Sequence, residues 1–160
     1  MTPLIATHAF SALTAMLLGA WQLFFSSKGS PLHRLVGRVW VGLMLYVSVT
    51  SFWIREIRHG QFSLLHILSI VTIVSVILGI FDARRGNLRS HVGNMRGSWI
   101  GLCFAGAFAL GVPERAIPQF VLADPKQAVS ASLVVMLTAV VIVGTGRLLT
   151  RVPAVESPGA

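Results

Sequence analysis

Charge is absent from long stretches of this chain and crowded into the short gaps between them. Residues 1–27 carry no charged side chain. Arg38 and Arg55 bracket 16 uncharged residues, and Arg96 and Glu114 bracket 17. Gln127 to Gly146 adds 20 more, while Gly60 to Phe81 is uncharged apart from the titratable His66. A bilayer core about 30 Å thick is crossed by roughly 20 helical residues, and about 17 suffice where flanking cations snorkel. Composition agrees: 54% of the 160 residues are hydrophobic and 11% charged, against about 25% charged in a soluble domain. A compact soluble fold of this size has too little interior to hide that apolar surface. The one cysteine, Cys103, has no intrachain partner, so a disulfide scaffold is excluded along with fibrous and disordered classes.

We therefore expect an all-α membrane protein of five transmembrane helices, near 8–27, 31–54, 61–82, 91–112 and 127–147. They would form a single transmembrane domain over 1–147, followed by a mobile tail over 148–160. The first span lacks a basic n-region and a small-residue cleavage site, so it reads as retained rather than as a signal peptide. Nine cations, Lys28, Arg34, Arg38, Arg84, Arg85, Arg89, Arg96, Arg147 and Arg151, fall on one side; Arg55, Arg58, Arg115 and Lys126 fall on the other. The positive-inside rule puts the nine in the cytoplasm, with the N-terminus outside and the C-terminus inside a bacterial inner membrane. The net charge of +8 then belongs to the inner leaflet, and anionic lipid headgroups rather than nucleic acid are the expected partner.

Four of the five histidines form a pattern. His8 and His33 are 25 residues apart, as are His66 and His91, and the two pairs are displaced by 58. Gly29 and Gly86 precede the second member of each pair, and Trp40 and Trp99 follow it. The spacing predicts two tandem hairpins, repeat A over 8–54 and repeat B over 66–112, with the helix at 127–147 outside the repeat. Two helices separate the copies, so both point the same way, related by an axis along the membrane normal. Such a pseudo-twofold four-helix bundle puts helices 1 and 3 on one diagonal and 2 and 4 on the other. His8 and His66 then share the outer end, and His33 and His91 the inner end. Stripes of small and weakly polar residues continue from these histidines: Ala12, Ala15, Gly19 and Gln22; Gly37, Trp40, Met44 and Ser48; Met95 and Ser98, beside a Gly97/Gly101 pair. Residues of this kind belong at helix contacts rather than facing lipid.

Imidazoles on facing helices are the ligand set for a b-type haem, which takes one axial nitrogen from each side. The four histidines are thus candidate cofactor and metal ligands, with Arg34, Arg38 and Arg96 (Arg89 beside them) placed to pair with propionates. A histidine near a span end is otherwise an ordinary polar cap; Ser30-Pro31 makes a good helix start that would put His33 in the first turn. His91 and Met95, four apart, form a copper-like pair that is more commonly packing. No carboxylate lies inside a span, and no P-loop, Zn-spaced cysteine set or nucleophile–base pair is present.

The strings HAFSALTAMLLGAWQLF, KGSPLHRLVGRVW, FSLLHILSIVTIV and RRGNLRSHVGNMRGSWIGL resemble a family of bacterial multi-pass proteins, domain of unknown function 2306, over residues 8 to 118. That resemblance implies a fold and not an activity. The histidine pattern is also similar to that of b-561-type di-haem cytochromes, which move electrons across membranes, although His8 lies nearer the chain start than such ligands do. The expected function is a membrane redox protein carrying one or two b-type haems, with a quinol or a redox protein as partner. The alternatives are a non-catalytic subunit of a larger membrane complex and a small-solute or metal carrier. The carrier needs a polar midplane, and the spans offer only Ser, Thr and Gly there.

Overall fold

A computed structural model describes residues 2–54, 64–111 and 116–150 of the chain. Among these residues there are six α-helices and no strand: α1 (Pro3–Phe24), α2 (Pro31–Thr50), α3 (Leu64–Arg84), α4 (Leu88–Gly111), α5 (Ala116–Ala123) and α6 (Pro125–Thr150). A short 3-10 turn, Ser51–Trp53, follows α2. Residues 55–63 and 112–115, with Arg55, Arg58 and Arg115, and the tail from Arg151 lie outside the described residues; α6 runs through 148–150, where the mobile tail is expected to begin.

The helix boundaries follow from caps and turn residues. Thr2 caps α1, with Pro3 at the first helical position, and Ser30 caps α2 by accepting the His33 N–H at 3.1 Å, followed by Pro31. Lys28 closes the other end of α1, donating to the Gln22 and Leu23 carbonyls, where a cation also meets the negative end of the helix dipole. Gly29 and Gly86 both adopt φ of 77°, a left-handed turn that glycine takes without steric cost. Each is followed at once by a cap: Ser30 for α2, and Asn87, whose Oδ1 accepts the Ser90 N–H at 3.2 Å, for α4. The turns of the two hairpins therefore have one design. Their displacement is 57, while that of the histidines is 58, so His33 is the third residue after its cap and His91 the fourth. One residue of offset turns the second imidazole by about 100° around its helix.

Four helices are long and apolar enough to cross a membrane: α1, α2 with its 3-10 turn, α3 and α6. The fifth expected span, α4, lies where the sequence puts it and has 24 residues. Its first half is polar, with Arg89, Asn94 and Arg96, and α4 is not one of those four. A further departure is α5, a helix of eight residues in the segment that reads as a simple connection. Asp124 separates it from α6 by capping the Gln127 N–H at 3.0 Å, and Pro125 then starts the new helix.

α1 packs on α2, α2 on α3, α3 on α4, and α4 returns to α1, while α6 lies outside this ring against α1 and α2. The core consists of Ala15 and Leu18 of α1, Val36, Trp40 and Met44 of α2, Val76 of α3, Leu102 of α4 and Ala139 of α6. Its tightest point is Gly19. The Trp40 indole N–H donates to the Ala15 carbonyl, and the Trp99 N–H to the Met16 carbonyl, each at 2.9 Å. A Cβ on Gly19 would lie 2.2 Å from Trp99 Cδ1 and 2.8 Å from Trp40 Nε1. Both repeat tryptophans thus converge on the same turn of α1. A strict twofold would send one of them to α3, so at this point the two hairpins depart from the expected symmetry.

The outer faces are apolar. On α6, Val135, Ala139 and Gly146 are buried while Leu133, Leu137, Val140, Val141, Leu148 and Leu149 are exposed. Exposed apolar surface this continuous fits hydrocarbon rather than water.

Gly19→Ala should destabilise the bundle by about 1–3 kcal/mol, the usual cost of overpacking a filled site. Gly42→Ala, whose new Cβ meets nothing within 4 Å, should be neutral or stabilising. Thermal unfolding of both variants in one detergent checks this; equal melting temperatures would remove Gly19 as the close-packing point.

Candidate functional site

His33, near the start of α2, and His91, near the start of α4, both lie at the end of the bundle that carries Lys28, on helices that stand across the ring from each other. His91 Nδ1–H donates to the Gly79 carbonyl of α3 at 2.8 Å. A carbonyl only accepts, so the proton is on Nδ1 and Nε2 keeps its lone pair. His33 Nδ1 is 3.1 Å from the Ser26 hydroxyl. The Gln22 amide, nine-tenths buried, donates from Nε2 to the His33 carbonyl at 2.9 Å. Its Oε1 is buried and has no hydrogen-bond partner among the described residues, leaving an acceptor beside His33. The same layer holds Asp82 of α3, whose Oδ2 accepts from Ser90 at 2.5 Å and Asn94 at 3.0 Å, tying the α3–α4 hairpin together.

The opposite end is a second polar layer. His8 Nδ1 is 2.8 Å from Thr50 Oγ1, and the Thr50 hydroxyl donates to the Tyr46 carbonyl at 2.7 Å. With its single proton spent there, Thr50 accepts from His8, so His8 also carries its proton on Nδ1. The Thr7 hydroxyl donates to the Leu4 carbonyl, so Tyr46 donates to Thr7 at 2.8 Å. Ser51 donates to Ser69 at 2.7 Å, joining the end of α2 to α3. His66 is 4% exposed, with its ring 5.8 Å from that of Phe52. His8 and His66 therefore each lean on the end of α2.

The stripes expected from the sequence are partly the buried faces. Ala15, Gly19 and Gln22 are buried on α1, Trp40, Met44 and Ser48 on α2, and Ser98 on α4. The Gly97/Gly101 pair does not make a close helix crossing. Nothing stands within 4 Å of a Cβ on Gly97, and Gly101 meets only the Leu68 side chain. Arg34, Arg38 and Arg96 are exposed, on the outside of the bundle rather than in its interior. Gln22 and Ser26 fall on the inward stripe that the spacing predicts for α1, whereas nothing in the sequence points to Thr50 or the Gly79 carbonyl. Gln22 had a signal, being the only amide in the uncharged first span. The partner roles of the others depend on which helices become neighbours.

Among the described residues no three of His, Cys, Asp and Glu gather where they could hold a metal ion. A haem asks less of the protein, because its macrocycle supplies four nitrogens and the chain only one or two axial ligands. The donor chemistry fits that role. Ligating histidines usually give their other ring N–H to a carbonyl or hydroxyl, as His91 and His8 do, and His33 has Ser26 in the same position. The middle of the bundle offers no flat cradle, since Trp40 and Trp99 fill the space over Gly19. A planar group would have to lie in an end layer.

A family model described as "Predicted membrane protein (DUF2306)" matches residues 5–150. Neither a curated protein nor a solved structure matches the chain.

The hydrogen bonds predict Nδ1–H tautomers for neutral His8 and His91. Nitrogen-15 solid-state NMR of labelled protein in bilayers should show a pyridine-like Nε2 for both. In Thr50→Val the His8 preference should relax while His91 is unchanged. A protonated Nε2 on His91 would contradict the Gly79 contact.

Proposed function

The chain belongs to the DUF2306 family of predicted membrane proteins, and on that premise we propose that it is an integral-membrane redox protein whose inner histidine pair holds a b-type haem. The observation that carries this reading is the anchoring of Nδ1. His91 is held on the Gly79 carbonyl and His33 stands against Ser26, which turns Nε2, the ligating nitrogen, away from the supporting contact. When bound, the haem would supply reversible one-electron chemistry.

The chain's own residues do the rest. The Gly79 contact fixes the His91 tautomer and the orientation of its ring. The Gln22 amide bonds the first turn of α2 to α1, so that His33 is held by two elements. Arg34, Arg38 and Arg96 would balance propionate charge from the outside of the bundle. His8 and His66 form the equivalent outer pair, and with a second haem the two layers would pass electrons across the bilayer from a quinol or protein donor. α4 acts as the fifth span, Arg89 and Arg96 snorkelling to the basic surface. α1 to α4 then make the pseudo-twofold bundle, in a bacterial inner membrane with the basic end cytoplasmic.

A second reading draws on the filled interior at Gly19. The chain would then be a non-catalytic subunit of a larger membrane complex, and the histidines polar ties between helix ends. An absorbance spectrum of protein expressed with haem supplied, oxidised and then dithionite-reduced, separates the two. The redox reading expects a sharp reduced α band that His33→Ala and His91→Ala each weaken, with protein yield maintained. A flat visible spectrum rejects the haem and leaves the subunit reading.

Orientation has its own check. In a Cys103→Ser background, Ser27→Cys should be labelled by an impermeant maleimide only from the cytoplasm, and Thr2→Cys only from outside. The reverse pattern would invert the topology.

A further inference from the structure

The seam between α1 and α6 does not close along its whole length. A groove of about 360 Å³ is lined by Leu17, Leu18 and Trp21 of α1 and by Ala139, Val143 and Gly144 of α6, with Arg147 at one end. Its walls are hydrocarbon apart from the Trp21 indole and that guanidinium. Gly146, one residue before the arginine, packs on Leu32, Leu35 and Val36 in the first turns of α2. Arg147 therefore lies at the basic end of the bundle, with Lys28 and Arg34. It is exposed. The carboxylates among the described residues are engaged elsewhere: Asp82 accepts from Ser90 and Asn94, and Asp124 caps the far end of α6.

We propose that this groove is a binding site for one anionic phospholipid, with an acyl chain along the α1–α6 seam and the phosphate on Arg147. An apolar slot open on its outer side and crowned by a single cation at the membrane surface matches the two ends of such a lipid. Trp21 adds the amphipathic ring that favours the headgroup level. Charge complementarity selects an anionic over a zwitterionic headgroup, because the basic end offers cations and, among the described residues, no free acid. The bound lipid would complete the contact of α6 with the bundle. This inference is independent of the redox reading.

Native mass spectrometry of the delipidated full chain, titrated with phosphatidylglycerol or phosphatidylcholine, tests it. The wild type should retain one phosphatidylglycerol about fivefold more strongly than phosphatidylcholine, the weight of one cation near an anionic headgroup. Arg147→Gln should remove that preference. Gly144→Leu fills the groove from a position where a new Cβ meets nothing within 4 Å; it should lose the retained lipid of either kind while keeping wild-type helicity and melting temperature. Equal retention of the two lipids by the wild type, or undiminished retention by a folded Gly144→Leu, would overturn the proposal.

Discussion

The approach of two indoles to one turn of backbone at Gly19 is the contact on which the other helix positions depend. Trp40 and Trp99 come from different helices, and each gives its N–H to a carbonyl of α1 that already serves the helix ladder. In hydrocarbon no water can take either N–H, so an indole that missed its carbonyl would be left with a costly unsatisfied donor. That requirement sets the depth of α2 and α4 against α1. A side chain on Gly19 would push both indoles away from their acceptors. The bundle is therefore clamped near its middle by sterics and hydrogen bonding together, and its ends are left to polar side chains.

Those ends show how few polar groups are needed to align four helices. One layer uses Thr7, His8, Tyr46, Thr50, Ser51 and Ser69; the other uses Gln22, Ser26, His33, Gly79, Asp82, Ser90, His91 and Asn94. Each contact is worth only about 1 kcal/mol net, and its larger effect is on register. A helix that slid by one residue would strand several of these groups at once. Three of the four repeat histidines have Nδ1 within hydrogen-bond distance of another group. A purely structural tie and a ligand support both use that same nitrogen, so the two functional readings differ in what Nε2 does.

The membrane class is legible in the amino-acid sequence alone, since uncharged stretches of this length have no other solvent. Both hairpin turns are legible there too, because Gly29–Ser30–Pro31 and Gly86–Asn87 carry turn and cap chemistry that acts within a few residues. Cap chemistry also places His33 in the first turn of its helix, and helical spacing marks Ala15, Gly19, Gln22, Trp40, Met44 and Ser48 for the interior. α5 is not legible in the sequence, because eight residues with Pro118 among them give too short a periodicity to separate a helix from a loop. The Gly97/Gly101 pair forms no close crossing, because a small residue permits close approach without requiring it.

Which side chains meet is settled by how the helices pack. That both tryptophans reach α1, that His91 gives its proton to a carbonyl of α3, and that Thr50 receives the His8 proton are consequences of ring order and relative depth. The spacing of residues along one chain does not encode these. The seating of α6 against α1 and α2 is of the same kind. Its stripe of Val135, Ala139 and Gly146 is a weak pattern in an almost wholly apolar helix, and a complementary surface had to be present before that stripe could be told from the faces around it.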